Sequence, residues 1–195
     1  MYPKKDESNA ACLRSAVFLD RDGTLNVEKN YLYKIEDWEW IPGAVKAIQL
    51  INKMGMLAII VTNQSGIARG YYQQADVDLL HEWLVQELAK KGAKIDGFYV
   101  CPHHPEYSSG TQCNCRKPEP GLLKKAARDF AIDMPHSYMI GDKMADVNVA
   151  LKIGVTPILV LTGHGQQEQK NCPSSIIVKS NVLEAVKYIQ NMNIL

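Results

Sequence analysis

Apolar residues along this chain fall into two recurring patterns. Short continuous runs alternate with longer stretches in which apolar positions return every third or fourth residue. The first run, Ala16-Val17-Phe18-Leu19, is unbroken and stops at Asp20. A strand that is apolar on both faces is one covered on both faces, as in a parallel sheet flanked by helices. Pro42-Gly43 then opens a stretch whose Val45, Ile48, Ile51 and Met54 share a helical face, and Gly55 closes it. A second strand is expected at 57–61. A longer helix follows at 74–90, with Val77, Leu80, Leu84 and Leu88 at helical spacing and Gly92 beyond its end. The same reading gives strands at 98–100, 138–140, 157–161 and 176–178. It gives helices at 120–130, from 141 to 152, and at 182–192. Residues 101–118, rich in Pro, Gly, Ser, Cys and His, read as irregular. Strand and helix in alternation predict an α/β fold, a Rossmann-like parallel sheet flanked by helices. The chain shows no repeat, low-complexity tract or linker, so one domain over 1–195 is expected, with 1–14 a mobile leader.

Composition narrows the function classes. With 46% hydrophobic and 22% charged residues and a net charge of +1, the chain is ordinary for a globular protein. It lacks the basic field that holds nucleic acid. No apolar run is long enough to cross a bilayer, and the polar residues 1–14 contain no apolar core of a secretory signal. Neither a nucleic-acid nor a membrane partner is expected, and the cytoplasm is the default compartment. There the five cysteines are thiols or metal ligands rather than disulfides.

Ligands of open α/β sheets bind at the carboxyl ends of the strands. Three polar segments sit there: Asp20-Arg21-Asp22-Gly23-Thr24, Thr62-Asn63-Gln64-Ser65-Gly66 and Gly141-Asp142-Lys143. Two carboxylates two residues apart make an acidic turn in the plain case. After a buried strand they also suit a nucleophile, Asp20, and a general acid/base, Asp22. Gly23 lets the backbone turn close to a phosphate. Thr62 and the N–H groups after it read alone as a helix cap, but beside the first motif they make a phosphate site. Arg116-Lys117, a solvated pair in most contexts, supplies a forked and a compact cation suited to phosphate. Asp142 adds a carboxylate, so Asp20, Asp142 and the main-chain carbonyl of Asp22 form a magnesium site. Asp146, one helical turn on, reads equally as a support to that site or as a solvated helix residue.

Cys101-Pro102-His103 and Cys113-Asn114-Cys115 make a Cys3His set suited to a closed, structural zinc site. His104, adjacent to His103, serves equally on sequence grounds. The loop runs into Arg116 and Lys117, so zinc is expected to position both cations. Cys12 and Cys172 fall outside the pattern and read as ordinary thiols.

These pieces, in this order, resemble the haloacid dehalogenase (HAD) superfamily of aspartate-nucleophile phosphatases. Asp20 to Asn26, Thr62 to Gly70, Cys101 to Pro105, Cys115 to Pro118 and Gly141 to Lys143 are similar to the heptose-bisphosphate phosphatase family within it. The resemblance implies a HAD-like sheet without a separate cap domain, covered by loops. It implies Asp20 as nucleophile, Asp22 as acid/base, Thr62 and Lys117 as phosphate holders, and Mg2+ and Zn2+ as cofactors. The substrate it implies is a sugar bisphosphate, heptose 1,7-bisphosphate losing its 7-phosphate, in heptose supply for lipopolysaccharide. Substrate contacts map to Asp20, Arg21, Asp22, to Glu28, Lys29, Asn30 and Tyr31, to Thr62, Asn63, Gln64 and Ser65, and to Arg116, Lys117 and Lys143. The nearest rival is a histidinol-phosphate phosphatase, which shares the motifs and the zinc loop; Arg116 favours a second phosphate over an amine. A phosphotransferase and a zinc-containing binding module that has lost catalysis are further alternatives, and a monomer is expected.

Overall fold

The structure, a computed structural model, describes residues 13–108 and 113–192 of the 195-residue chain. Its strands are β1 (Ala16–Leu19), β2 (Leu57–Asn63), β3 (Gly97–Cys101), β4 (Tyr138–Gly141), β5 (Thr156–Val160) and β6 (Ile177–Lys179). They form one sheet in the order β3-β2-β1-β4-β5-β6, and every neighbouring pair is parallel. Between them run α1 (Ala44–Lys53), α2 (Gln74–Lys90), α3 (Gly121–Phe130), α4 (Met144–Lys152), the short α5 (Gly165–Glu168) and α6 (Val182–Met192). Among the described residues, no helix is long and apolar enough to cross a membrane.

The uninterrupted apolar run of β1 is explained by its two covered faces. Val17 and Leu19 join Ile48 and Ile51 of α1 and Val186 and Ile189 of α6, whereas Ala16 and Phe18 join Leu122, Leu123 and Ala126 of α3 and Val149 of α4. All four strand residues are fully buried. Burying a Leu or Phe is worth roughly 2 kcal/mol, against about 1 kcal/mol net for a main-chain hydrogen bond, so side-chain burial dominates here.

Four strands, β2, β3, β4 and β6, run past their expected ends. β2 extends to Asn63 because Thr62 and Asn63 pair with Val100 and Cys101 of β3. Thr62 is therefore a rigid strand residue, and the cysteine loop leaves directly from a strand end. The helix Gly165–Glu168 was not expected from the pattern, being too short to show a period. Arg14, the last residue of the expected leader, is held by a bridge to Ile132 and by its Nη2 donating to the Gly55 carbonyl at 3.1 Å. The rest of that leader, with Cys12, lies outside the described residues.

The strand order reverses between β1 and β4, which opens a crevice at their carboxyl ends. Register brings the polar segments to one level: Leu19 pairs with Ile60 and Ile140, and the Asp20 N–H donates to the Ile140 carbonyl at 2.9 Å. Among the described residues, the β1–α1 and β2–α2 connections hold turns and one 3-10 turn (Ile35–Asp37), so loops alone surround the crevice.

Candidate active site

A cleft of about 250 Å³ opens at the reversal point. Of the residues expected to contact substrate, Asp20, Asp22, Glu28, Asn30, Tyr31, Thr62, Asn63, Gln64, Ser65, Arg116, Lys117 and Lys143 line it. Segments far apart in sequence meet there because each follows a strand or a loop off the same sheet edge.

Lys117 organises the floor. Its ammonium, almost fully buried, is 2.9 Å from Asp20 Oδ1 and 2.6 Å from Asp146 Oδ1, and donates to the Val61 carbonyl at 2.7 Å. Burial alone lowers a lysine's proton affinity, but the carboxylates of Asp146 and Asp20 outweigh it and hold Lys117 above its ordinary value. The backbone carrying Lys117 is latched to β2: Asn63 Nδ2 donates to the Lys117 carbonyl at 3.1 Å, and Asn63 Oδ1 accepts from the Lys117 N–H at 3.1 Å. Asn63 thus spends its amide on positioning Lys117.

Asp20, Asp142 and Asp146 bring carboxylate oxygens within 4.8 Å of one another, all buried. Burial and the facing Asp20 push Asp142 up to about 8; burial pushes Asp146 up to about 6 against the pull of Lys117. Asp142 Oδ2 accepts the His164 N–H at 2.8 Å, but buried Oδ1 has no hydrogen-bond partner. An orphaned carboxylate oxygen among like charges fits a hard divalent cation with oxygen ligands. The cluster decides between the two readings left open for Asp146. Asp146 is a buried ion-pair partner, not a solvated helix residue, because its carboxylate turns back to Lys117 and to the N–H of Lys143 at 3.2 Å. The Asp22 carboxylate stands outside the cluster, consistent with the expectation that only its main-chain carbonyl serves a metal.

The Asp22 side chain is held instead by a separate network. Arg21 reaches it through Nε at 3.2 Å and Nη2 at 2.9 Å, Asn26 Nδ2 at 3.0 Å, and Gln64 Nε2 at 2.8 Å. Burial raises its pKa, yet Arg21, Asn26 and Gln64 together prevail and keep the carboxyl below its ordinary value. Tyr72, which lines the cleft, donates to Gln64 Oε1 at 2.7 Å and stacks on Tyr33, so Gln64 is fixed while also donating to Thr62 Oγ1 at 2.8 Å.

Arg21 and Lys29 do not reach the cleft with their side chains. Arg21 is fully buried, bound to Asp22, to the Leu32 carbonyl at 2.7 Å and to His81 Nε2 at 3.4 Å. Lys29 turns outward to Glu39 at 3.1 Å. Gly23 has its own reason: at φ +82° its Cα sits against the Asp142 carboxylate and Gly163, where any Cβ would collide. The close approach in this structure is to Asp142.

Tyr72, Ala145 and His164 line the cleft without having been singled out from sequence. His164 lies just past β5, so the strand-end rule that found Asp142 also reaches it. Its Nε2 is 3.6 Å from Glu28 Oε2, an oxygen that also pairs with Lys143 Nζ at 3.2 Å. Burial opposes the charge on Lys143, but Asp20, Asp142 and Glu28 hold its proton affinity well above the ordinary value.

Beside the cleft, Cys101, His103, Cys113 and Cys115 gather ligand atoms within 4.8 Å of one another. His103 Nδ1 is 3.3 Å from Cys115 Sγ and 3.8 Å from Cys101 Sγ; Cys101 Sγ is 3.2 Å from Cys115 Sγ and 3.9 Å from Cys113 Sγ. A tetrahedron with metal–sulfur bonds of about 2.3 Å has edges of roughly 3.8 Å, so the cluster has the size of a zinc site. The choice between the histidines is resolved by geometry. His104 has both ring nitrogens engaged elsewhere, with Arg69 Nη2 at 3.0 Å and the Glu106 N–H at 3.2 Å. Arg116 Nη1 donates to the His103 carbonyl at 3.1 Å, which ties the cluster to the cleft. Cys172 is a free, half-buried thiol elsewhere.

Comparison with known proteins agrees with this architecture. A HAD-hydrolase-like family model matches residues 114–185. A D-glycero-beta-D-manno-heptose-1,7-bisphosphate 7-phosphatase of Photorhabdus laumondii is 42% identical over 182 residues, covering 90% of this chain and 96% of the relative. Its Escherichia coli K12 counterpart is 46% identical over 152 residues, 76% of this chain and 80% of the relative. A solved D,D-heptose 1,7-bisphosphate phosphatase from B. bronchiseptica, complexed with magnesium and phosphate, superposes with a TM-score of 0.83 at 29% identity, covering 91% of this chain and 99% of that one. Fold and cleft are those of a phosphatase of the HAD hydrolase superfamily. Within it, the chain belongs to the D-glycero-beta-D-manno-heptose-1,7-bisphosphate 7-phosphatase family.

Buried His81 yields a test of the Arg21 support. It stacks on Phe98 and is pushed down to about 3 by burial and then by Arg21, so it is neutral when folded. The unfolded chain takes up this proton below about pH 6.5 and the folded chain does not. His81 therefore contributes stability that is complete above pH 6.5 and is lost toward pH 3, at up to about 1.4 kcal/mol per pH unit. Urea denaturation of wild type and His81→Leu between pH 7 and 4.5 is expected to show a flatter pH dependence for the variant. Equal slopes would assign the loss to other groups.

Proposed function

We propose that this protein hydrolyses the 7-phosphate of D-glycero-beta-D-manno-heptose 1,7-bisphosphate, releasing heptose 1-phosphate for nucleotide-activated heptose and lipopolysaccharide core synthesis. The observation that carries the reading is the convergence of Asp20, Lys117, Asp142 and the Asp22 network in one cleft, in a chain that belongs to this family. In the first step a carboxylate oxygen of Asp20 attacks phosphorus while the bond to the sugar oxygen breaks, and Asp22 gives that oxygen a proton. In the second, Asp22 takes a proton from water, whose oxygen attacks phosphorus and restores Asp20 with release of inorganic phosphate. Arg21, Asn26 and Gln64 favour the carboxylate form of Asp22, the base required by the second step. An arriving phosphate dianion raises a neighbouring carboxyl and so favours the acid form required by the first.

Lys117, which fixes Asp20, and Thr62 hold phosphoryl oxygens. Asp20, Asp142 and the Asp22 carbonyl would hold Mg2+, which supplies charge stabilisation to a phosphoryl group approaching three buried carboxylates. Arg116, Lys143 and His164 line the cleft and suit a second phosphate and sugar hydroxyls. Cys101, His103, Cys113 and Cys115 would hold Zn2+ as a structural ion, since four protein ligands leave no position for water. We infer a single domain acting as a monomer in the cytoplasm, where thiols stay reduced and free to hold a metal.

Phosphate release in the presence of magnesium, from heptose 1,7-bisphosphate and histidinol phosphate at matched concentrations, tests the assignment. A kcat/KM preference of at least about a hundredfold for the heptose is expected, roughly 2.7 kcal/mol of discrimination. The reverse preference would move the protein to histidinol phosphate and overturn the reading of Arg116. In the same assay Asp20→Asn is expected to abolish turnover with the fold intact; appreciable residual activity would remove Asp20 as nucleophile. Cys113→Ser is expected to lose zinc and lower kcat/KM through Arg116 and Lys117. Full activity in a zinc-free variant would separate the loop from the cleft.

A further inference from the structure

Three loops border the cleft, and one side chain touches all of them. Arg69 leaves the turn that follows β2. Its guanidinium carbon lies 4.3 Å over the Tyr107 ring and 5.9 Å over the Tyr31 ring, and its Nη2 is 3.0 Å from His104 Nε2. His104 and Tyr107 pack edge to face and belong to the cysteine loop; Tyr31 lines the cleft from the 28–31 segment. Tyr71, two residues from Arg69, packs edge to face on Tyr31 at 4.9 Å.

The 28–31 segment needs such a hold. Asn30 and Tyr31 have φ of +51° and +61°, a left-handed backbone that non-glycine residues adopt at a cost and that persists only where surroundings enforce it. Within the segment, Glu28 Oε1 accepts the Asn30 N–H at 2.9 Å, which fixes the turn but not its placement over the cleft. Glu28 ties the start of the segment to Lys143 at 3.2 Å, and the contacts of Tyr31 with Arg69 and Tyr71 place its other end. A planar guanidinium can stack on a ring and donate in its plane at once, which a lysine ammonium cannot.

We propose that Arg69 is a positioning residue for substrate specificity: it ties Tyr31 to the zinc-side loop through Tyr107 and His104, so that the loops that meet the sugar and distal phosphate are held together over the cleft. The proposal rests on the phosphatase reading above. It makes no contact between Arg69 and the transferred phosphoryl group, and so separates recognition of the large substrate from the chemistry at Asp20.

The test compares heptose 1,7-bisphosphate with p-nitrophenyl phosphate, a small aryl ester that needs only the phosphoryl end of the cleft, both with magnesium. R69A is expected to lower kcat/KM for the heptose about tenfold, mainly through KM, while kcat/KM for the aryl ester stays within about twofold and zinc content is unchanged. R69K, which keeps charge without the planar fork, is expected to recover only part of the loss. Y107A is expected to give a similar loss, and R69A/Y107A to be no worse than the larger single effect, as for residues acting through one contact. An unchanged substrate ratio in R69A, an equal fall with both substrates, or full additivity with Y107A would overturn the proposal. A wild-type enzyme with no preference for the heptose would overturn the substrate reading instead, and the two failures are distinct.

Discussion

The structure depends on one buried ammonium. Lys117 sits where Asp20, Asp146 and the Val61 carbonyl converge, and each of its contacts anchors a different part of the sheet edge. Three carboxylates buried together repel, and removing each from water costs several kcal/mol unless charge of the opposite sign lies close. Asp142, left with an orphaned oxygen and an acid form favoured up to about 8, shows what Lys117 alone does not neutralise. The site is therefore electrostatically poised for a further cation and for a phosphate that a cation can join to it.

That requirement explains the segregation of Asp20 and Asp22, the two carboxylates proposed to carry the chemistry. Asp20 and Asp22 are two residues apart, yet they occupy different electrostatic settings. Asp20 faces Lys117 and the acidic cluster, whereas Asp22 is turned to Arg21, Asn26 and Gln64. A nucleophile and a proton carrier have different requirements, and separating their partners allows each to be set independently. Arg21, which the motif alone presents as a candidate substrate contact, is used up in making that separation.

The cysteine loop enters the same scheme from outside. Its cysteines pack against the apolar cluster beneath β1 and β2, and four clustered ligand atoms hold its described residues together. It delivers Lys117 to the floor through the Asn63 latch and Arg116 to the wall through the His103 carbonyl. Rigidity of β2, extended by its pairing with β3, is what gives that latch a fixed base.

The sequence by itself determined the sheet, the catalytic edge and the zinc-type cluster. Periodicity reports burial: runs apolar on both faces had to become covered strands, and polar residues immediately after them had to meet at one edge. Asp20, Thr62 and Asp142 were legible for that reason, whereas Lys117 and the three cysteines were legible from their residue types and clustering in one irregular stretch. What only the tertiary structure decided was direction. Whether Asp146 turned to solvent or to Lys117, whether His103 or His104 joined the cysteines, and whether Arg21 and Lys29 faced the cleft all depended on partners far away in the chain. No local pattern encodes a side chain's choice among distant partners, because that choice is made by charge and space after the loops have met.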